Sequence, residues 1–443
     1  MRYLTLFALA LCASCHLTAP APQGYLLIVG GGLKPDNTEV LSAFASAAGA
    51  QTLVIPTASG VPEESAPGTQ AMLAAHTQGS QQVAILDIRH DTPERAQDLA
   101  YIDPIHDATA VWFTGGDQSR ILAAFRPGGA ESGGAESTSP NAASPDASET
   151  NAPAPNDTPA YDALLQFLAR DGLIAGTSAG AAMMSDPMIA GGTSEAALLR
   201  GAGFEGALAD TVNQAPGAQA QPVSPGVKLT QGMGFFPYGM VDQHFLSRGR
   251  FGRLIVAMEA TGQTLAVGIA DNRALYVDLS KASGTAIGNH AVVLIDLSTA
   301  TRDGQTLRGI RISLASSNDT LDFTTARVHP APGKYPLRTH QEGEPEPDAP
   351  QPDAPQPDSP QPDSPQPDAP QPIEQSAPDP WSSNALSQLL KRLALDPSQS
   401  QVARKDRIEI TLRTDSGTTF WSAQPDLSDL TVYQVFMDIT VTL

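Results

Sequence analysis

Between residues 25 and 177, short continuous runs of apolar residues alternate with segments long enough to form helices. The apolar runs span residues 25–29, 52–55, 83–88, 109–113 and 173–175, and the helix-length segments span 37–48, 70–78, 93–100, 118–125 and 161–169. Apolar strands separated by helices are typical of βαβ units, whose parallel sheet is buried on both faces. The pattern predicts an α/β fold with a mainly parallel sheet and a ligand site beyond the carboxyl ends of its strands.

The pattern changes after residue 264, where apolar runs become more numerous and helical spacing becomes rare. A β-rich stretch covers 264–296, and strand and turn follow in 310–328. Two further candidate strands, 407–412 and 431–443, belong to a small β-containing C-terminal region that we place at 381–443. This region is either a separate small domain or an extension that returns to pack on the first.

Two segments have too few large apolar residues to form a core. Residues 127–160 are rich in Gly, Ser, Ala, Pro and Asn, so we expect a disordered surface insertion there. Residues 206–226 are predicted to form a second loop, on a weaker compositional pattern. Within 342–380, a pentamer of the form Pro-Asp-Ala/Ser-Pro-Gln occurs five times, which indicates a semi-rigid polyproline II linker.

The net charge of −21 is unevenly distributed over the 443 residues, which include 26 Lys and Arg against 47 Asp and Glu. Residues 131–157 hold five acids and 342–379 hold ten, with no Lys or Arg in either segment. Most of the acidity therefore belongs to the insertion and the linker. A chain without a basic surplus cannot displace the counterions of a nucleic acid, which excludes DNA or RNA as the main partner.

The N-terminus has the pattern of an export signal: Arg2, an apolar run over 4–11, then Cys12-Ala13-Ser14-Cys15. The run is shorter than the ~20 residues of a permanent membrane span. Small residues before Cys15 favour a lipoprotein-type signal of residues 1–15, with Cys15 lipidated. Ordinary cleavage near Ala13 or Ala19 is the alternative. We therefore expect an exported protein, lipid-anchored to the outer membrane on the periplasmic or cell-surface side, or otherwise secreted.

Both cysteines of the chain lie in this N-terminal segment. The mature protein would therefore have no disulfide, no Cys metal ligand and no Cys nucleophile.

A candidate nucleophile lies in Gly176-Thr177-Ser178-Ala179-Gly180, between an apolar run and a small-residue helix. This is the sequence form of a nucleophile elbow, where the serine sits on a tight strand-to-helix turn. The helix N-terminus offers free N–H groups to a developing oxyanion. The alternative is a glycine-rich turn without chemistry.

A candidate base, His244, follows Asp242 and Gln243 and precedes Arg248, Arg250 and Arg253. Histidine is the usual base for a serine nucleophile, and arginines can hold carboxylates bidentately. A solvated basic helix with a structural histidine is the alternative. The remaining histidines lack such neighbours and show no metal-binding spacing; they are His16, His76, His90, His106, His290, His329 and His340.

A third segment, residues 113–118 (Phe-Thr-Gly-Gly-Asp-Gln), follows the fourth apolar run. Its glycines would let backbone N–H groups face a substrate oxygen. An ordinary βα turn with Asp117 as helix N-cap is the alternative, and both descriptions can hold together.

Together these three segments resemble the cyanophycinase family of serine peptidases, which are related to the aspartyl dipeptidases. Ile55-Pro56-Thr57-Ala58-Ser59 fits as well, and the resemblance covers roughly residues 25–298 without the insertion. It implies a class I glutamine amidotransferase-like fold, a three-layer α/β/α sandwich. It also implies a catalytic domain at 24–330.

The resemblance assigns Ser178 as nucleophile and His244 as general base. The family's acidic third member is a Glu in Gly-Ile-Asp-Glu, and the matching stretch here is Gly268-Ile269-Ala270-Asp271. Asp271 takes the Glu position with one methylene less; Asp242 and Glu195 are weaker alternatives. The order Ser, His, Asp differs from that of α/β-hydrolases, where an esterase would need His290 or His329.

The family's substrate is cyanophycin, a polyaspartate backbone with Arg on each β-carboxylate, which is cleaved to β-Asp-Arg dipeptides. The substrate-binding residues that the resemblance implies are Gln118, Asp242, Gln243, Arg248, Arg250 and Arg253, with the N–H groups of Gly116 and Ala179 as the oxyanion hole. No metal or organic cofactor is implied.

Two alternatives to an exported cyanophycinase remain at this point. One is an aspartyl dipeptidase of the same family. The other is an inactive surface-lipoprotein binding module on the same fold. The oligomeric state is also open, with a homodimer as one alternative.

Overall fold

The computed structural model describes residues 23–77, 79–128, 157–204, 224–337, 378–397 and 400–442. The predicted signal segment with Cys15, most of the predicted insertion and nearly all of the predicted linker lie outside the described residues. Within the described ranges, no helix has the length and apolar character needed to cross a membrane.

The described helices alternate with strands in the first half of the chain and become rare in the second. They are α1 (Thr38–Ala47), α2 (Pro62–Ala74), α3 (Leu99–Asp107), α4 (Gln118–Phe125), α5 (Pro159–Leu168), α6 (Ala179–Ala182), α7 (Ser194–Arg200), α8 (Phe251–Thr261) and α9 (Ala385–Leu395), with 3₁₀ turns at Pro93–Gln97 and Leu279–Lys281.

The strands of the first two thirds of the chain are β1 (Tyr25–Val29), β2 (Gln51–Ile55), β3 (Gln82–Ile85), β4 (Ala110–Phe113), β5 (Leu173–Thr177), β6 (Met188–Gly192), β7 (Ala202–Phe204), β8 (Val227–Thr230), β9 (Met240–Asp242), β10 (Leu265–Ile269), β11 (Ala274–Asp278), β12 (Ser283–Ile287) and β13 (Val292–Asp296). The later ones are β14 (Thr301–Asp303), β15 (Thr306–Ala315), β16 (Thr320–Asp322), β17 (Arg327–His329), β18 (Tyr335–Pro336), β19 (Gln401–Lys405), β20 (Ile408–Arg413), β21 (Thr419–Ser422) and β22 (Thr431–Val441).

The first sheet has the strand order β17-β16-β12-β11-β1-β5-β4-β2-β3. Its five strands from β1 to β3 are parallel, as the apolar runs predict. In the register of these strands, Val29 lies opposite Thr177, and Phe113 lies opposite Gly176. The carboxyl ends of β1, β4 and β5 therefore meet at one edge of the sheet, which brings three glycine-rich motifs together.

Both faces of this parallel region are buried. Leu26 and Ile28 of β1 pack in a core with residues of α3, α4 and α5, whereas Leu27 and Val29 pack in a second core with residues of α1. Alternate side chains of one strand thus enter two different cores, because successive residues of a strand point to opposite faces. This explains why the strand sequences are continuously apolar.

The second large sheet follows the order β18-β21-β22-β15-β13-β10-β9, with β14, β19 and β20 paired beside this path. Only β9 and β10 are parallel to each other there. The prediction of a mainly parallel sheet is confirmed for the five strands from β1 to β3 of the first sheet, whereas elsewhere among the described strands only the pairs β9–β10 and β7–β8 are parallel. Short connections join successive strands from β11 to β18, and a parallel pair needs a crossover of a dozen residues or more. The specific glutamine amidotransferase-like layering stays a prediction.

The C-terminal region continues this second sheet. Strand β22 pairs with β15, β20 and β21, and one core combines residues of α8, α9, β13, β15 and β22. Of the two alternatives from the sequence, the structure has the returning extension. The ordered chain also continues past the predicted domain end at 330, because β18 pairs with β21.

The two segments that flank residues 129–156 are held together. Arg126 and Asp157 form a buried ion pair with an Nε–Oδ1 distance of 2.9 Å, and the Thr158 N–H donates to the Phe125 carbonyl at 3.0 Å. Helix α5 begins at Pro159 with Thr158 as its N-cap. These contacts fix the chain on both sides of residues 129–156 to the described domain.

Candidate active site

Ser178 lies on a sharp turn between β5 and α6, with φ of 54° and ψ of −106°. A side chain at Gly176 would place its Cβ 2.3 Å from the Gly180 carbonyl oxygen, and one at Gly180 would lie 2.7 Å from that of Phe113. Only glycine fits at both positions. The turn thus has the strained geometry of a nucleophile elbow, which exposes the serine at the strand end.

His244 is placed against this serine, with its Nε2 atom 3.0 Å from the Ser178 Oγ. The histidine follows β9 and has φ of 48°. Its N–H donates to the Gly30 carbonyl at 2.6 Å. Its ring lies on Gly31, where a Cβ would come within 2.3 Å of Cε1 and Nε2. The glycines after β1 therefore give the imidazole room to reach the serine.

Asp271 completes a line of hydrogen bonds, because its Oδ1 contacts the Nδ1 of His244. The Ser247 hydroxyl donates to the other carboxylate oxygen, Oδ2. Burial raises the pKa of Asp271, but the hydrogen bonds from His244 and Ser247 outweigh it, so the pKa lies below its usual value. Asp271 is therefore ionised at neutral pH and can fix the orientation of the imidazole.

Ser247 did not emerge from the sequence as a site residue. It lies three positions after His244, in the same turn, and its hydroxyl is also 3.2 Å from the His244 carbonyl oxygen. The available signal was this spacing inside the Arg-rich segment, which places one more polar side chain beside the acid.

The two alternative acids lie elsewhere. Asp242 pairs with Arg253, and Glu195 lies 3.7 Å from Lys405 of the C-terminal region. The histidines considered for an esterase are also apart from Ser178. His290 contacts the Leu427 carbonyl through Nε2 at 3.2 Å, and His329 is exposed on β17. Among the predicted acids and bases, the structure brings only His244 and Asp271 to Ser178.

Arg253 and Asp242 form a buried pair. Arg253 Nε donates to Asp242 Oδ2 at 2.8 Å, and its Nη1 donates to the Gly192 carbonyl at 2.8 Å. A second bond joins Nη2 to Oδ1 at 2.5 Å. The exposed fraction is 3% for Arg253 and 1% for Asp242. Each residue fills hydrogen-bonding sites of the other while supporting the loop of His244, and this burial counts against the direct substrate contact expected for both.

Arg250 and Arg248 are bound less completely. Arg250 Nη1 donates to the Gln243 carbonyl at 2.7 Å and lies 3.6 Å from Asp242. Burial lowers the pKa of Arg250 to about 10, although the charge of Asp242 acts against this. Arg248 is exposed, and its charge contributes to the low pKa of Asp271. Both guanidinium groups keep donors that could meet an anionic ligand.

The two predicted glutamines differ in their contacts. Gln118 donates through Nε2 to the carbonyls of Ile189 and Ala190 at 2.8 and 3.0 Å, which ties α4 to β6. The buried Oε1 of Gln243 has no hydrogen-bond partner among the described residues. The same holds for the hydroxyls of Thr114 and Thr177 on either side of the elbow.

Gly116 and Ala179 lie on the two turns that flank Ser178. Gly116 has φ of 145°, and a Cβ there would lie 1.9 Å from the Ala58 carbonyl oxygen. Asp117 caps α4 by accepting from the Ser119 N–H at 2.9 Å, so the N-cap description of this segment holds. Ala179 is the first residue of α6, where backbone N–H groups have no intrahelical acceptor. Their assignment as an oxyanion hole stays a prediction.

A serine hydroxyl, an imidazole and a carboxylate in this order can remove the serine proton and produce a nucleophile. No family model matches the chain. The chain is 26% identical over 328 residues to a protein named cyanophycinase from Trichormus variabilis, a match that covers 71% of this chain and 90% of that protein. It is 25% identical over 323 residues to a cyanophycinase from Geminocystis herdmanii, covering 71% and 94% of the two chains.

Among solved structures, a peptidase from an acI-B1 Actinobacterium matches with a TM-score of 0.43 and 15% identity, over 68% of this chain and 98% of that one. The sequence similarity to cyanophycinases supports a relationship to peptidases of that kind.

Proposed function

We propose that this protein is a serine peptidase that hydrolyses cyanophycin to β-Asp-Arg dipeptides. The observation that carries the proposal is the line of hydrogen bonds from Ser178 through His244 to Asp271. The similarity to proteins named cyanophycinase over 71% of the chain supports the substrate class.

In the proposed reaction, the Ser178 Oγ attacks the carbonyl carbon of a backbone peptide bond. His244 Nε2 takes the hydroxyl proton, while Asp271 accepts from Nδ1–H and so holds the tautomer whose Nε2 lone pair faces the serine. The negative charge of Asp271 then stabilises the imidazolium that forms. The low pKa of Asp271 fits this role, since the carboxylate must stay ionised.

The tetrahedral intermediate would place its oxyanion near the N–H groups of Gly116 and Ala179. His244 gives its proton to the leaving amine, which leaves an acyl-enzyme on Ser178. The same imidazole then activates a water molecule that releases the acid product and restores the serine.

Carboxylates of the polymer would bind at Arg250 and Arg248. Arg250 is largely buried and has one short hydrogen bond among the described residues, to a backbone carbonyl, so its other N–H groups gain most from an incoming anion. The unpartnered Gln243 Oε1 offers an acceptor for a substrate N–H in the same segment. Asp242 and Arg253 support this segment from below and have no direct substrate contact in the proposal.

The proposal is tested by digesting insoluble cyanophycin granules and measuring the products by mass spectrometry. The wild-type protein should release β-Asp-Arg. Ser178→Ala should lower kcat by about 10⁴-fold or more, as removal of a triad nucleophile does in other peptidases, whereas Ser42→Ala, an exposed serine on α1, should leave it unchanged.

Unchanged hydrolysis by Ser178→Ala would overturn the serine mechanism. Cleavage of soluble Asp-X dipeptides with untouched granules would identify an aspartyl dipeptidase instead. Binding of the polymer without any product would identify a binding module.

We also propose that the protein is exported and lipidated at Cys15, as the N-terminal pattern predicts. Cys15→Ser should move the protein from the membrane to the soluble fraction and remove label from a radioactive fatty acid. Cys12→Ser is the matched control and should change neither. Equal labelling of both variants would contradict lipidation at Cys15.

A further inference from the structure

A polar pocket borders Asp271. Its volume is about 430 Å³, within the range of small-ligand sites. Its wall is formed by the loops around β10 and β11, by the turn before β13 and by α9 of the C-terminal region. Its charged and titratable lining residues are Asp271, Arg273, His290 and Lys391.

Positive charge dominates this pocket. Neither Arg273 nor Lys391 forms an ion pair with a carboxylate of the described residues, although both line the pocket. Arg273 donates from Nε to the Asn289 carbonyl at 3.1 Å and from Nη1 to the Asn272 carbonyl at 2.8 Å. These bonds fix its guanidinium while its other donors remain for a ligand.

Asp271 is the one carboxylate in the lining, and its charge offsets one of these two cations. His290 adds no charge at neutral pH. Burial lowers its pKa, and the charges of Lys391 and Arg273 act in the same direction against a hydrogen bond to Leu427. The lining therefore carries two cations and one carboxylate, a net positive charge, and the amides of Asn289, Asn384 and Gln388 supply further donors.

We propose that this pocket is a carboxylate-binding subsite that takes an acidic group of the peptide substrate beyond the residue at Ser178. This assignment rests on the proposed function for the identity of the substrate. Two hydrogen bonds and one imidazole ring separate the pocket wall from the Ser178 hydroxyl. An extended peptide advances about 3.3–3.6 Å per residue, and in the proposal a chain bound at Ser178 spans this separation with about three residues.

The subsite would be a specificity feature of this particular chain. Lys391 and the amides of Asn384 and Gln388 come from the C-terminal region, outside residues 25–298, where the family motifs lie. The short peptide of a dipeptidase would not reach it, whereas a polymer would contact it during every cleavage.

The test measures binding of tetra-aspartate by calorimetry at low salt to full-length protein with Ser178→Ala, which prevents hydrolysis. Adding Lys391→Gln should raise the Kd about tenfold or more, as expected for loss of a charge-assisted contact. Adding Lys391→Glu should raise it further. Lys228→Gln is the matched control: Lys228 is an exposed lysine of β8, and its replacement should leave the Kd unchanged.

Equal Kd values for the Lys391 and Lys228 variants would overturn the subsite. Competition by inorganic phosphate at the same concentration as tetra-aspartate would also overturn it, because the pocket would then bind any anion and not a peptide. The binding experiment needs no turnover. If the wild-type protein binds through Lys391 but releases no β-Asp-Arg from cyanophycin, the proposed function fails and the subsite stands.

In the active enzyme, Lys391→Gln should raise the KM for cyanophycin several-fold relative to Lys228→Gln. An unchanged KM, with hydrolysis intact, would overturn the subsite and leave the proposed function in place.

Discussion

Ser178 is held in the site by local contacts, whereas the His244–Asp271 pair is held there by contacts between distant parts of the chain. The serine is held by its immediate neighbours in sequence, since Gly176 and Gly180 close on each other around the elbow. The histidine and the aspartate are held by contacts between distant parts of the chain. They follow β9 and β10, which lie in the second sheet, whereas Ser178 follows β5 of the first.

The junction between the two sheets is the end of β1. Gly30 accepts the His244 N–H and lies so close to the loop after β10 that a Cβ would come within 2.1 Å of the Ala270 carbonyl oxygen. Gly31 lies under the imidazole. The nucleophile is therefore a local feature, while the base and acid depend on how two sheets meet. Mutations should separate these two kinds of support.

The largest effect should come from Asp271→Asn, which tests the distant half of the site. The amide can no longer hold the His244 tautomer that accepts the serine proton, so kcat should fall by about 10⁴-fold, as for the equivalent change in other triads. Asp278→Asn, which alters an aspartate of β11 paired with Lys281, should leave kcat unchanged. A loss of tenfold or less in Asp271→Asn would mean that Asp271 is not the third member.

A smaller loss should follow from Gly31→Ala, which tests the junction. The new methyl group would lie 2.3 Å from the His244 ring, so the imidazole must move, and a displacement of about 1 Å costs on the order of 100-fold in rate. The control is Gly304→Ala, because Gly304 also has positive φ, 56°, but has nothing within 4 Å of the Cβ position. Equal rates in the two variants would show that His244 does not depend on Gly31.

The C-terminal region should have a moderate effect, because it supports the loop of His244. Trp381 packs on Phe251 at a centroid distance of 5.0 Å, and the Asn384 N–H donates to the Leu246 carbonyl at 2.9 Å. Trp381→Ala should cost about 2 kcal/mol of unfolding free energy and lower kcat several-fold well below the melting temperature.

The comparison for that variant is Trp421→Ala, which alters β21 away from the loop of His244. It should lower the melting temperature with little change in kcat. Similar losses of kcat in both variants would mean that general destabilisation, and not the loop contact, accounts for the effect.

The smallest expected effect is on the free energy of unfolding at acidic pH. The pKa of Asp271 is lower in the folded protein than its ordinary value of 3.8. The ionised group therefore stabilises the fold fully above pH 3.8, and this contribution is lost as the pH falls through the folded-state pKa. The free energy of unfolding, measured in urea, should differ between wild type and Asp271→Asn by a constant amount above about pH 4. This difference should shrink below that pH.

In Ser247→Ala, the stabilisation by ionised Asp271 should be lost at a higher pH, because the variant lacks one of the two donors that lower the pKa of Asp271. Ser280→Ala is the control, since Ser280 donates to Asp278 on the surface. If the difference in unfolding free energy between wild type and Asp271→Asn did not vary with pH, this would contradict the low pKa of Asp271.

Local sequence patterns predicted most elements of the first half of the fold, but not all of their bounds. The helix over 118–125 begins and ends as predicted, because Asp117 caps it and its apolar spacing is regular. Helix α2 begins eight residues before its prediction, since Pro62 starts the helix and Pro67 and Gly68 interrupt the helical pattern. The segment at 93–100 divides into a 3₁₀ turn and the start of α3.

The sequence by itself determined the parallel strands and the elbow of Ser178, because these follow from short periodicities and motifs of a few residues. The roles of His244 and Asp271 were predicted only through the resemblance to a known family. The tertiary structure decided the rest. It paired Arg253 with Asp242, placed the Ser247 hydroxyl against Asp271, and joined the C-terminal strands to the second sheet. The physical reason is that hydrogen-bond partners and strand neighbours far apart in sequence are selected by packing, which no local pattern encodes.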